Sequence, residues 1–186
     1  MLNLAEISAR MEIHEALMRY VNGIDRRDPD LLRSAYFDDA VDYRSYHPSH
    51  SSPADFAERA VVGFGETPEY SQHHMTNVTY DIEVEAGVAD VESYVLVFHP
   101  IGPHTARTLR PEDGGSYVRF AGARYLDRFE CRDGEWRIAR RACVVDWART
   151  DLYGDPAPVL SEHLGGLAPG TREADPVRQL SRHAAS

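Results

Sequence analysis

The sequence predicts an α+β domain in which N-terminal helices pack inside one strongly curved antiparallel sheet. Three observations lead there. Apolar residues recur every three to four positions through the first 24 residues, and long period-two runs fill 71–147. The small triplet Ala121-Gly122-Ala123 interrupts one of those runs, as a bend or bulge in a curved sheet requires. Such a sheet closes into a cone with an apolar interior, a common site for small molecules.

The first helix is carried by Ile7, Met11, Ala16, Leu17, Tyr20, Val21 and Ile24, with charged residues between them. Asn22-Gly23 is expected to end it. Asp28 is then an N-cap and Pro29 a first helical residue, so a second short helix is predicted from Pro29 to about Tyr36. Asp25 falls in the corner between the two helices. Val41 to Arg44 reads as a short strand, followed by a polar loop from Tyr46. Ser52 caps a third helix over Pro53 to Gly63.

Four long strands follow. The first runs from Ser71 to Val84, and Glu85-Ala86-Gly87 turns it into a second, Val88 to His99. Pro100 to Gly115 reads as a long exposed loop. Ser116 to Cys131 and Trp136 to Trp147 are joined by a turn containing Asp133-Gly134, the strongest short hairpin signal in the chain. The domain is expected to occupy 1–150. The Gly- and Pro-containing segment 151–186 is a tail, a lid or an arm contacting a second subunit.

Composition narrows the function. The 186 residues suit one domain, and a net charge of -10 with pI near 5.3 argues against a nucleic-acid partner. All 20 basic residues are arginine, which removes Schiff-base and P-loop lysines. Cys131 and Cys143 have neither disulfide-framework nor metal-ligand spacing. No segment has the length and apolarity of a membrane span or signal peptide, so a cytoplasmic location is expected and no membrane partner. No HxH or HExxH pattern occurs among the 9 histidines, and no metal is expected.

The most informative stretch is Gln72-His73-His74-Met75-Thr76-Asn77. Strand alternation sends His73, Met75 and Asn77 to one face and His74, Thr76 and Val78 to the other. An inward histidine acts as a base near neutral pH when a carboxylate orients its second nitrogen. Asp25 is the candidate carboxylate.

The end of the first helix (Tyr20, Ile24 to Asp28), Phe37-Asp38-Asp39-Ala40, His73 to Asn77, and Phe129 to Arg137 leading to Arg140-Arg141 together resemble a SnoaL-like domain of the NTF2-like superfamily. Within it the chain looks most like the branch of scytalone dehydratase, bile-acid 7α-dehydratase and hexachlorocyclohexane dehydrochlorinase. The resemblance covers about Ile7 to Trp147 and implies a cone-shaped α+β barrel. It also implies an Asp25-His73 dyad and a pocket arginine at Arg141, with His99 in the place of a second pocket histidine.

On this reading Asp25, His73, Arg141 and Tyr43 are the expected catalytic residues. Tyr20, His99, Tyr125, Asn77 and Tyr46 are expected to bind substrate. The reaction implied is a cofactor-free β-elimination, of dehydratase type, on a small hydrophobic cyclic or aromatic hydroxylated compound. Isomerisation, polyketide cyclisation and retro-aldol cleavage use the same base, and a non-catalytic binding or assembly module uses the same fold. The structural alternatives are a helix cap for Asp25, an intrasheet salt bridge for Arg141, rim or core packing for Tyr43 and Tyr125, and a solvated strand end for His99. A dimer or trimer is expected by resemblance.

Overall fold

The computed structural model describes residues 2–44, 52–63, 71–101 and 117–152. Helix α1 (Leu4–Asp25) begins with a capping box. The Asn3 side chain accepts from the Glu6 backbone N–H, and the Glu6 carboxylate accepts from that of Asn3, both at 2.9 Å. Its buried stripe is Ala9, Ile13, Ala16, Leu17, Tyr20, Val21 and Ile24. Ile13 and Leu17 are wholly buried, each contributing roughly 1.5–3 kcal/mol of apolar burial.

The helix passes through Asn22-Gly23 instead of stopping there. Gly23 is a packing residue: a Cβ at this position would lie 2.5 Å from the backbone nitrogen of Leu32. Helix α2 (Pro29–Arg33) therefore crosses directly against α1, with Asp28 Oδ1 accepting from the Leu31 N–H at 3.0 Å. It is shorter than expected because Ile138 N–H already bonds the Ala35 carbonyl at 2.9 Å, drawing the chain into the sheet.

Strand β1 (Tyr36–Arg44) precedes α3 (Pro53–Gly63), β2 (Gln72–Glu83), β3 (Val88–Ile101), β4 (Tyr117–Arg132) and β5 (Glu135–Leu152). The curved sheet is unclosed, in the order β1-β5-β4-β3-β2. Strands β2 to β5 form the expected antiparallel meander, whereas β1 joins β5 in parallel. The sheet is thus mixed and not wholly antiparallel. In sequence α3 separates β1 from β2, which form opposite edges, so β1 is left to pair with the last strand.

The expected irregularity at Ala121-Gly122-Ala123 is a register shift between Gly122 and Ala123, where β5 carries the extra residue Asp146. A bulge in β2 was not expected. Met75 pairs with Val95 and Val78 with Ser93, so Thr76 and Asn77 together face Tyr94. The Asp133-Gly134 hairpin has both residues at positive φ, 53° and 83°, as the tight primed turn requires.

Strands β3 and β5 run on through Ile101 and Leu152, into the expected loop and tail. The remainder of those two segments lies outside the described residues. Neither Cys131 nor Cys143 forms a disulfide. No described helix is long and apolar enough to cross a membrane.

Candidate functional site

Asp25 is the last residue of α1 and His73 the second of β2. Their side chains meet, with His73 Nδ1 at 2.6 Å from Asp25 Oδ1. The His73 backbone N–H donates to Asp25 Oδ2 at 2.9 Å, and the Ser71 hydroxyl donates to Oδ1 at 3.1 Å. A carboxylate at a helix C-terminus opposes the helix dipole, and these donors compensate for it. With Asp25 ionised, Nδ1 carries the proton and Nε2 the lone pair, the tautomer of a general base. The side chains are 9% (His73) and 22% (Asp25) exposed, so the pair is largely shielded from water.

His99 lies beside the pair, with Arg119 next to His99. They are cross-strand partners on β3 and β4, in phase with the buried Val95 and Ala121 and hence on the inner face. Burial, followed by the nearby His73 and Arg119, pushes His99 down from the usual 6.5 to about 4, with Asp25 opposing. His99 is therefore a neutral imidazole at neutral pH. Just after Asp25, Arg27 adopts a left-handed backbone, φ 53°, rare for a residue with a side chain.

Arg141 is brought to the interior but is bound there. It has no solvent exposure, and its Nε and Nη2 donate to Asp127 at 2.7 and 2.6 Å. The Tyr20 and Tyr125 rings lie 4.0 and 4.2 Å from its guanidinium carbon. Burial opposes its charge, yet the Asp127 carboxylate keeps Arg141 charged, well above its ordinary pKa.

Arg141 is one member of a buried polar chain. Tyr36 donates to Asp42 at 2.8 Å, and Arg44 bonds Asp42 by Nε and Nη2 and the Tyr20 hydroxyl at 2.9 Å. Phe56 of α3 stacks on Arg44 with 4.0 Å between guanidinium carbon and ring centre. Tyr20 and Tyr125 are 0% and 2% exposed, so this level of the cone is a buried polar floor.

Three other expected site residues fall elsewhere. Tyr43 points outward, 37% exposed, because Asp42 and Arg44 take the inner face of β1. Asn77 is exposed: the β2 bulge resets the alternation, and Val78, Tyr80 and Ile82 pack against the core in its place. Tyr46 lies outside the described residues. A shallow groove of about 890 Å³ is found on the outer sheet face, between Asp39, Asp81, Glu92, Leu126 and Arg140, away from the dyad. Among the described residues no group of three or more His, Cys, Asp or Glu is placed to hold a metal.

Sequence reasoning missed Asp42, Arg44, Tyr36, Asp127 and Arg119. In Val41-Asp42-Tyr43-Arg44 the apolar pair was the natural inward choice. Only the β5 register, which sets Asp42 beside Arg141, reverses it. Arg119 was legible in principle, being in phase with Ala121 and Ala123.

Fold and family agree. The chain belongs to the SnoaL-like domain family, whose model matches residues 5–142. An uncharacterised protein of Mycobacterium tuberculosis is 31% identical over 142 residues, covering 76% of this chain and 88% of that protein. Among solved structures, the hexachlorocyclohexane dehydrochlorinase of Novosphingobium barchaimii superposes with a TM-score of 0.65 at 17% identity, covering 82% of this chain and 99% of that one. A candidate scytalone dehydratase of Novosphingobium aromaticivorans gives 0.59 at 20% identity, covering 82% and 93%. These likenesses show the cone-shaped NTF2-like α+β fold.

Proposed function

We propose that the chain is a cofactor-independent lyase of dehydratase type, acting on a small hydrophobic cyclic or aromatic hydroxylated compound. The observation that carries this reading is the 2.6 Å contact between Asp25 and the His73 ring, reinforced by the second Asp25 oxygen on the His73 backbone. Asp25 fixes the tautomer and stabilises the imidazolium formed when Nε2 removes a proton from carbon. The C–H electrons form the double bond, the β C–O bond breaks, and the hydroxyl leaves as water with a proton returned by His73. That proton source suits this interior better than the alternatives. Tyr43 faces out, burial raises the Tyr125 phenol, and His99 is already neutral. Arg141 acts by holding the floor beneath the site through Asp127.

The neighbouring folds include a dehydrochlorinase and a protein named for a dehydratase, both eliminating enzymes by name, which favours elimination over isomerisation, cyclisation or retro-aldol cleavage. A binding or assembly module is the second reading, and the feature that favours it is the engagement of the buried Arg141 by Asp127. Turnover decides. Incubating the chain with a panel of hydroxylated bicyclic ketones and phenols, and following the new conjugated double bond by absorbance, should show activity that His73→Ala and Asp25→Asn remove. Activity persisting in both variants, or absent from the wild type across the panel, would sink the lyase.

A homo-oligomer is part of this proposal. The outer sheet face exposes Tyr94, Leu96, Leu126 and Trp147, at 40–53%, and a second copy is the occupant that would cover them.

A further inference from the structure

The outer face of the sheet carries a row of four charges, each on its own strand. Asp81 of β2 lies opposite Asp90 of β3, Asp90 opposite Arg128 of β4, and Arg128 opposite Arg140 of β5. Residues directly opposite each other in a sheet project to the same side, so the row reads acid, acid, base, base across the strands. Two of its three steps set like charges side by side, which is destabilising in isolation. Only the middle step is compensated, by the 2.9 Å bond from Arg128 Nη1 to Asp90 Oδ2.

The two outer members are left over. Asp81 and Arg140 are exposed, and among the described residues neither has an ion pair or a side-chain hydrogen bond. Three inter-strand spacings, about 14 Å, separate them, too far for one to reach the other within the chain. All four charges border the shallow groove on this face. So does Leu126, 40% exposed and two residues along β4 from Arg128.

Reversing the row turns acid, acid, base, base into base, base, acid, acid. A two-fold axis parallel to the strands, lying over the seam between β3 and β4, performs that reversal when a second copy of the chain lies face to face on the first. Arg140 of one protomer then meets Asp81 of the partner subunit, twice by symmetry, and Arg128 meets Asp90. The two Leu126 side chains come together at the axis, where they fill the groove from both sides.

We propose that the outer face forms an isologous two-fold interface in which Arg140 and Asp81 pair between two copies of this chain. The row is complementary to itself, so the occupant it selects is a second copy. A uniformly acidic or basic partner would match only half of it. The ion pairs set register and orientation, and the exposed apolar positions of the same face supply contact area. This inference rests on the homo-oligomer reading and is independent of turnover at Asp25 and His73.

Sedimentation velocity on charge-reversed variants tests it. Arg140→Glu and Asp81→Arg should each weaken self-association by about 100-fold or more, because each sets like charges together at both symmetric contacts. Arg140→Gln, a milder change, should weaken it by about tenfold. An equimolar mixture of Arg140→Glu and Asp81→Arg should recover the dimer, since each variant supplies the charge that the other lacks. Recovery also shows that both variants are folded. Undiminished association in Arg140→Gln or in either reversed variant, a mixture of folded variants that stays monomeric, or a trimeric wild type would overturn the proposal. A monomeric wild type would remove the homo-oligomer reading with it, whereas an oligomer indifferent to these substitutions would remove this interface alone.

Discussion

Asp25 holds His73 at two points, accepting from the ring at 2.6 Å and from the backbone N–H of the same residue at 2.9 Å. One carboxylate thus fixes both the strand position and the ring orientation. Asp25→Asn should keep the fold while losing the tautomer, lowering turnover by about 10²- to 10⁴-fold. Ser71→Ala, which removes only the 3.1 Å hydroxyl contact, should cost less than about tenfold. Steady-state rates on any turned-over substrate check this, and equal losses in the two variants would contradict it.

His99 makes stability depend on pH. Its folded pKa, about 4, lies below the usual 6.5, so between those values the unfolded chain binds the proton and the folded chain does not. Its contribution is present above pH 6.5 and is lost as pH falls to 4, about 3 kcal/mol in all. Urea unfolding at pH 7, 5.5 and 4.5 should show His99→Gln losing less stability than the wild type across that window. Parallel profiles would rule out a low pKa for this ring.

The buried Arg141 and Asp127 pair gives a stability prediction with a built-in control. Asp127→Asn leaves a guanidinium with no exposure and no counter-charge, and should cost about 3–5 kcal/mol in denaturant unfolding. Asp127→Leu with Arg141→Met removes both charges and should recover most of that loss. A double variant as unstable as the single one would mean the pair contributes net stability and not mutual compensation.

Two glycines should respond differently to alanine. At Gly23 the new methyl meets the Leu32 backbone, which cannot move aside, so Gly23→Ala should cost about 1–3 kcal/mol or more by forcing α1 and α2 apart. At Gly122 it meets the exposed Trp147 indole, which can swing away. Thermal melts should therefore fall much further for Gly23→Ala than for Gly122→Ala.

The oligomer proposal is tested on the outer face. Leu96→Asp and Trp147→Arg place charges on two exposed apolar positions and should shift sedimentation towards the monomer without lowering the melting temperature of the fold by more than a few degrees. An unchanged sedimentation coefficient in both would remove this face as the interface.

Local chemistry made much of this protein readable from its sequence. Asp28-Pro29 marked the start of α2, Asp133-Gly134 a tight hairpin, and Ala121 to Ala123 the register shift between β4 and β5, because caps, primed turns and bulges depend on a few adjacent residues. The pairing of Asp25 with His73 was legible too, since helix end and strand start each have a local signature and the family pattern joins them.

Tertiary structure decided the rest, for reasons of register and approach. Gly23 looks like a helix terminator until α2 is seen lying on it. The β2 bulge that turns Asn77 outward depends on Tyr94 of the neighbouring strand. Asp42 and Arg44 face inward because β1 runs parallel to β5 beside Arg141, a pairing between residues about a hundred positions apart that no local periodicity encodes. The sequence by itself determined which segments are helix and strand and which histidine meets Asp25. That Arg141 is locked onto Asp127 was settled only when the strands were placed side by side, since a side chain's partners across a sheet belong to register and not to sequence spacing.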